Sequence, residues 1–319
     1  MMRGRLSAVK IGVTLAAACL TPGCDKASDP GTPASRDTIA LPGTRVFPES
    51  IAAASDGTLY VGSAGHGSIY RVPPGGAAQI WLDSEKSGTR SVFGLVVDES
   101  GNALWACTNA PIEGDGPGAA LRRYALGSGA QTGHWPITGE TPICNDIALA
   151  DDGSVFLTDT LAGRVLRLPP DGTALEPWFE DKDALFGVDG IAFESSGRML
   201  LTNVIGNSLL ALEVVDGRPG VLVTLEPSMP LGRPDSLRPL GEDRFVMTEN
   251  EAGRVTQVRF TGTQAQMNML SDGDVGVSGA VPGGGALWTV NAMLQYTREP
   301  ELKGKDPGPA SIRRLPLPD

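Results

Sequence analysis

Short apolar runs recur along the chain, each broken by a Gly-containing turn and followed by a second run. The pattern opens with "ESIAAASDGTLYVGS" at Ile51 and "FGLVVDESGNALWACT" at Leu95. It continues with "NDIALADDGSVFLTDT" at Ile147, "DGIAFESSGRMLLTNV" at Ile191, "DSLRPLGEDRFVMTEN" at Leu237 and "SGAVPGGGALWTVN" at Ala280. The anchors step by 44, 52, 44, 46 and 43 residues. A third run follows in each repeat ("GSIYRV", "GRVLRL", "GRVTQVRF") and a fourth in all but the last. Four short strands in a period of ~40–50 residues are the signature of a β-propeller blade. The sequence therefore predicts an all-β, six-bladed β-propeller of four-stranded antiparallel blades around a central channel. "DTIALPG" (37–43) is placed to supply the last blade's missing strand and close the ring.

In a propeller the first strand of each blade lines the channel, so residues just ahead of it face one mouth. Two places before the anchors stand Glu49, Phe93, Asn145, Asp189, Asp235 and Ser278. Taken singly, such residues cap turns. A shared register gathers three carboxylates and an amide at one end of a narrow channel, where unpaired burial is costly. A cation resolves that conflict, and an all-oxygen set suits Ca2+ ahead of Mg2+ or Mn2+. Glu49, Asn145, Asp189 and Asp235 are the expected metal ligands. Zinc fits poorly: the two histidines, His66 and His134, fall outside this register. The polar residues Asn109, Asp159, Asn203, Glu249 and Asn291 end the second strands near the same mouth and are candidates for a ligand pocket, together with Asp146.

The remaining composition narrows the setting. Gly 42 and Pro 25 in 319 residues indicate a turn-rich fold, and 41% apolar residues supply a sizeable core. A formal charge of −11 argues against a nucleic-acid partner. The start, "MMRGRLSAVKIGVTLAAACLTPGC", has the basic, apolar and small-residue order of an export signal (1–24). It resembles a lipoprotein signal ending at Cys24, the expected lipidation site, with Cys19 as the alternative. Residues 25–37 then read as a flexible tether ahead of a propeller spanning 38–319. The expected location is outside the cytoplasm, periplasmic or at the cell surface, with a membrane contacted only through the lipid. Cys107 and Cys144 are left either to form a bridge in an oxidising compartment or to act as two small buried apolar groups.

Over roughly residues 46–297 the sequence resembles the SMP-30/gluconolactonase/LRE-like family of six-bladed propellers. The likeness is carried by "FPESIAAASDGTLYVGS", "NDIALADDGSVFLTDT", "VDGIAFESSGRMLLTN" and "RPDSLRPLGEDRFVMTEN". It implies a divalent ion, usually Ca2+, at one channel mouth. The family's first-blade Glu falls on Glu49, its Asn-Asp pair on Asn145 and Asp146, and its Pro-Asp-Gly aspartate on Asp235. Asp189 stands where the family has the Asn of an Asn-Gly motif, and "PES" and "PDS" also depart from the pattern. The implied activity is metal-dependent hydrolysis of a lactone or similar ester by a monomer, with Asp235 or Asp189 as general base. The alternative is a catalytically silent, surface-tethered propeller that holds a small ligand or a protein partner around a structural cation.

Overall fold

The computed structural model describes residues 37–112 and 115–318. The export segment, Cys24 and the tether up to residue 36 lie outside the described residues. The described chain is all-β, with three one-turn helices among the described residues. Its strands form five sheets, four of them four-stranded. The fifth is eight-stranded and consists of two antiparallel ladders joined by a two-residue parallel pairing, Glu226 with Gln264 and Pro227 with Ala265.

Each antiparallel ladder begins with an inner strand: Pro48–Ala53, Ser91–Asp98, Cys144–Leu149, Val188–Phe193, Pro234–Gly241 and Val277–Gly283. Each inner strand packs on the next, and Val277–Gly283 returns against Pro48–Ala53. The hydrophobic cores sit between adjacent ladders. Ile147, Leu157 and Leu166 of one pack with Trp105, Cys107 and Leu121 of the preceding one.

Three of the turns between the first two strands are built alike. Ala54, Ala150 and Glu194 each accept an i+3 backbone bond from a glycine, Gly57, Gly153 and Gly197. Those glycines hold φ of 84°, 84° and 83°, a left-handed backbone that disfavours side chains. The Asp-Gly and Ser-Gly pairs are thus the hairpin turns the pattern predicts.

The final sheet combines Thr38–Ala40 with Val277–Gly283, Ala286–Asn291 and Ser311–Leu315. Thr38–Ala40 pairs with Ser311–Leu315, so "DTIALPG" supplies the strand that the last repeat lacks. Cys107 and Cys144 form a disulfide with Cα atoms 5.0 Å apart, which settles the alternative left open by their spacing. It ties the second strand of one ladder to the inner strand of the next, one residue before Asn145.

Candidate functional site

A repeated defect aims the candidate residues. In every antiparallel ladder the register between the inner strand and its neighbour slips near the strand's start. The slips fall at Pro48/Ser50, Val92/Leu95, Cys144/Ile147, Val188/Ile191, Pro234/Leu237 and Val277/Gly279. Glu49, Phe93, Asn145, Asp189, Asp235 and Ser278 lie inside these bulges. A bulge frees a residue from strict alternation and redirects its side chain.

Neighbouring bulges are tied by one device. The Thr158 and Thr248 hydroxyls donate to the carbonyls of Asp189 and Ser278 at 2.6 and 2.9 Å, and Thr202 donates to that of Asp235. The same three oxygens accept from the amides of Asp146, Gly190 and Ser236. Two glycines allow the inner strands to approach this closely. A Cβ on Gly94 would lie 2.3 Å from the Asn145 carbonyl oxygen, and one on Gly190 2.6 Å from that of Asp235.

Glu49, Asn145, Asp189 and Asp235 are all buried, at 6–7% exposure. The three carboxylates lie within electrostatic reach of one another. Burial, reinforced by the charges of Asp189 and Asp146, raises Glu49 well above the ordinary carboxylate range. Burial and the charges of Asp189, Glu49 and Asp146 do the same to Asp235. Asp189 is pushed up to about 7 by burial and by Asp146, against the hydrogen bond from Asn145. Arg298, on the one-turn helix Gln295–Arg298, pulls all three down.

Hydrogen-bond donors are scarce here. Asn145 Nδ2 donates to Asp189 Oδ2 and to Thr160 Oγ1, each at 2.9 Å, leaving its Oδ1 as the atom a cation would take. Asp235 receives one long bond of 3.4 Å from Asn250, and Glu49 accepts none from the described residues. Buried carboxylates with so few donors match the all-oxygen chemistry of a hard divalent ion. Among the described residues, no three His, Cys, Asp or Glu side chains are gathered at the spacing a metal ion needs. The donor set fits such an ion chemically, and ligation would require the carboxylates to draw together.

Asp146 is engaged differently from its neighbour. Its two oxygens take a bidentate pair from Arg238, 2.6 Å on each side, and Oδ2 also accepts from the Ile191 amide at 3.2 Å. Arg238 is 8% exposed and reaches Asp146 from the inner strand Pro234–Gly241. The sequence reading did not single it out. Its only signal is a basic residue inside the buried run "DSLRPLG".

The polar residues that end the second strands are spent within the loops. Asn109 exchanges two bonds with the backbone of Cys144, and Asp159 accepts from the Ile143 amide and pairs with Arg164 at 2.9 Å. Asn203 donates to the carbonyls of Ala184 and Phe186. Glu249 joins Arg254, Thr256 and the Gly232 amide, while Asn291 ties Asp274 to Met293. His66 bonds with Ser68 and Tyr70 in a turn, and His134 lies on the outer strand Gln131–Pro136. An apolar lip adjoins the acidic residues. Leu161, Phe186 and Ile205 are exposed on loops joined by Gly187 N–H to Thr160 and Val204 N–H to Gly187, both 2.9 Å.

The strictosidine synthase-like, N-terminal family matches residues 34–72. No curated protein sequence matches the chain. Solved structures do resemble it. A gluconolactonase-like protein aligns with TM-score 0.62 and 17% identity, over 90% of this chain and 96% of its own. Luciferin-regenerating enzyme gives 0.63 and 11%, over 88% and 95%. Virginiamycin B lyase from Staphylococcus aureus gives 0.60 and 13%, over 88% and 98%. The chain has the propeller fold of the group to which its motifs pointed.

Proposed function

We propose that this protein is a six-bladed propeller whose acidic mouth takes a divalent cation, Ca2+, and hydrolyses a lactone or similar ester. The eight-stranded sheet counts as two blades in this reading, split at its two-residue parallel pairing. The observation that carries it is the buried trio Glu49, Asp189 and Asp235, within electrostatic reach of one another and almost without donors. A hard ion bound there supplies Lewis-acid polarisation of the ester carbonyl and a more acidic bound water. Asn145 holds Asp189 in place through Nδ2. Asp189 is a candidate general base that would accept a proton at a carboxylate oxygen, with Asp235 as the second candidate. The Asp146–Arg238 pair keeps Asp146 from joining that work. The exposed lip of Leu161, Phe186 and Ile205 offers an apolar surface to the acyl or aryl part of a substrate.

The test is turnover of a panel of aldonolactones, alkyl lactones and aryl esters, with and without chelator. Chelator-sensitive hydrolysis that Asp235→Ala abolishes supports the proposal. Ca2+ binding without turnover on any ester points to the second reading, a silent ligand-binding propeller with a structural ion. Absence of Ca2+ binding removes both.

A further inference from the structure

A second cavity lies at the other ends of the same inner strands. It encloses about 660 Å3, within the range of small-molecule sites. Ile147 and Ile191, from the halves of their strands away from Asn145 and Asp189, line its wall, with Phe156, Phe193 and Val214. The two phenylalanines meet edge to face with centroids 5.4 Å apart, and Trp178 buttresses Phe156 at 4.9 Å. These contacts make the aromatic wall stiff and preformed.

Arg238 also lines this cavity. Its charge is already answered by Asp146, and its hydrogen bonds all run from Nη1 and Nη2. The Nε–H has no partner among the described residues, on a side chain that is nine-tenths buried. That N–H is reached by solvent, so a ligand acceptor can replace a water there without breaking a bond inside the protein. The rim carries the exposed carboxylates of Asp151 and Asp152, and its Arg167 already pairs with Asp152 at 3.3 Å. A negatively charged guest meets repulsion at the entrance and no free cation inside.

We propose that this cavity binds an uncharged aromatic small molecule bearing one carbonyl-type acceptor, at a site separate from the carboxylate cluster and independent of any ion held there. The flat ring would lie against Phe193, beside Phe156, whose own ring Arg167 already overlies at 5.9 Å, and the acceptor would take the Arg238 Nε–H.

The probe is 6-propionyl-2-(dimethylamino)naphthalene, a neutral naphthyl ketone whose emission moves to the blue in apolar surroundings. Titrated into the purified protein, it should bind saturably at one site per chain, with a blue shift that chelator leaves unchanged. Val214→Trp and Ala150→Trp, at partly exposed positions lining the cavity, should each weaken it at least about tenfold. Phe186→Ser, on the lip at the opposite mouth, should leave it unchanged. The anionic 8-anilinonaphthalene-1-sulfonate should bind at least about tenfold more weakly than the ketone. Thermal melts identify folded variants, and one folded tryptophan variant is enough. The proposal fails if the ketone shows no saturable binding, if a folded tryptophan variant binds it as wild type does, or if Phe186→Ser abolishes the signal.

Discussion

Replacing Asp189 with Asn should reverse a pH-dependent instability that the acidic mouth imposes on the ion-free protein. In the unfolded chain Asp189 ionises near the ordinary 3.8, whereas in the folded protein it keeps its proton up to about 7. The folded state therefore binds more protons across that interval, and stability falls as pH rises through it. At ~1.4 kcal/mol per pH unit, the interval amounts to ~4 kcal/mol from this residue alone. Asp56, Asp98 and Asp152 are held below their ordinary range and act in the opposite sense, so the wild-type curve alone does not isolate the effect. The difference between wild type and Asp189→Asn cancels those groups and reports Asp189 together with the relief of Glu49 and Asp235, both of which its charge raises. Urea unfolding with chelator, at pH 4 and pH 8, should show the variant gaining ~4 kcal/mol on wild type at the higher pH. Saturating Ca2+ at pH 8 should narrow the gap, because wild type gains ~2.7 kcal/mol at a hundredfold excess over Kd and the variant loses affinity. Parallel pH curves for the two proteins would refute the electrostatic account of the site.

Three further outcomes follow from the geometry. Replacing both Cys107 and Cys144 with Ser opens a loop of 37 residues and should cost about 4 kcal/mol in urea unfolding by the chain-entropy relation. Arg238→Met strands the buried Asp146 carboxylate and should cost ~3–5 kcal/mol, most of it recovered when Asp146→Asn is added. Phe186→Ser, at a half-exposed position, should change stability by no more than about 0.5 kcal/mol, while raising KM for aryl esters and sparing small aldonolactones.

The repeat and its register were legible because each ladder repeats one local grammar, an apolar run, a glycine-containing turn and a second run. That periodicity located Glu49, Asn145, Asp189 and Asp235 at equivalent buried places, and it found the closing strand at 38–40. The bulges that turn those residues out of their ladders were not legible, since a register slip depends on how two strands pair. The Asp146–Arg238 pair was hidden for a related reason. Its partners stand 92 residues apart and meet only once separate repeats are packed together. Asn109, Asp159, Asn203, Glu249 and Asn291 read as pocket residues because polar strand ends look alike in sequence, whether they serve a ligand or a neighbouring amide. A signal for the inter-ladder ties was present: Thr158, Thr202 and Thr248 recur one place before those polar ends. The disulfide could not be derived from two cysteines, whose spacing is compatible with pairing but does not require it.

The sheet that unites residues 38–40 with 311–315 gives the strand Ser311–Leu315 unusual weight. During synthesis the segment at 38–40 must wait, unlatched, until residues 311–315 have been made. A premature stop just ahead of residue 311 would spare nearly every other sheet yet leave Ala286–Asn291 with a raw edge, open to pairing with another chain. A chain stopped there should thus aggregate out of proportion to the loss of one strand.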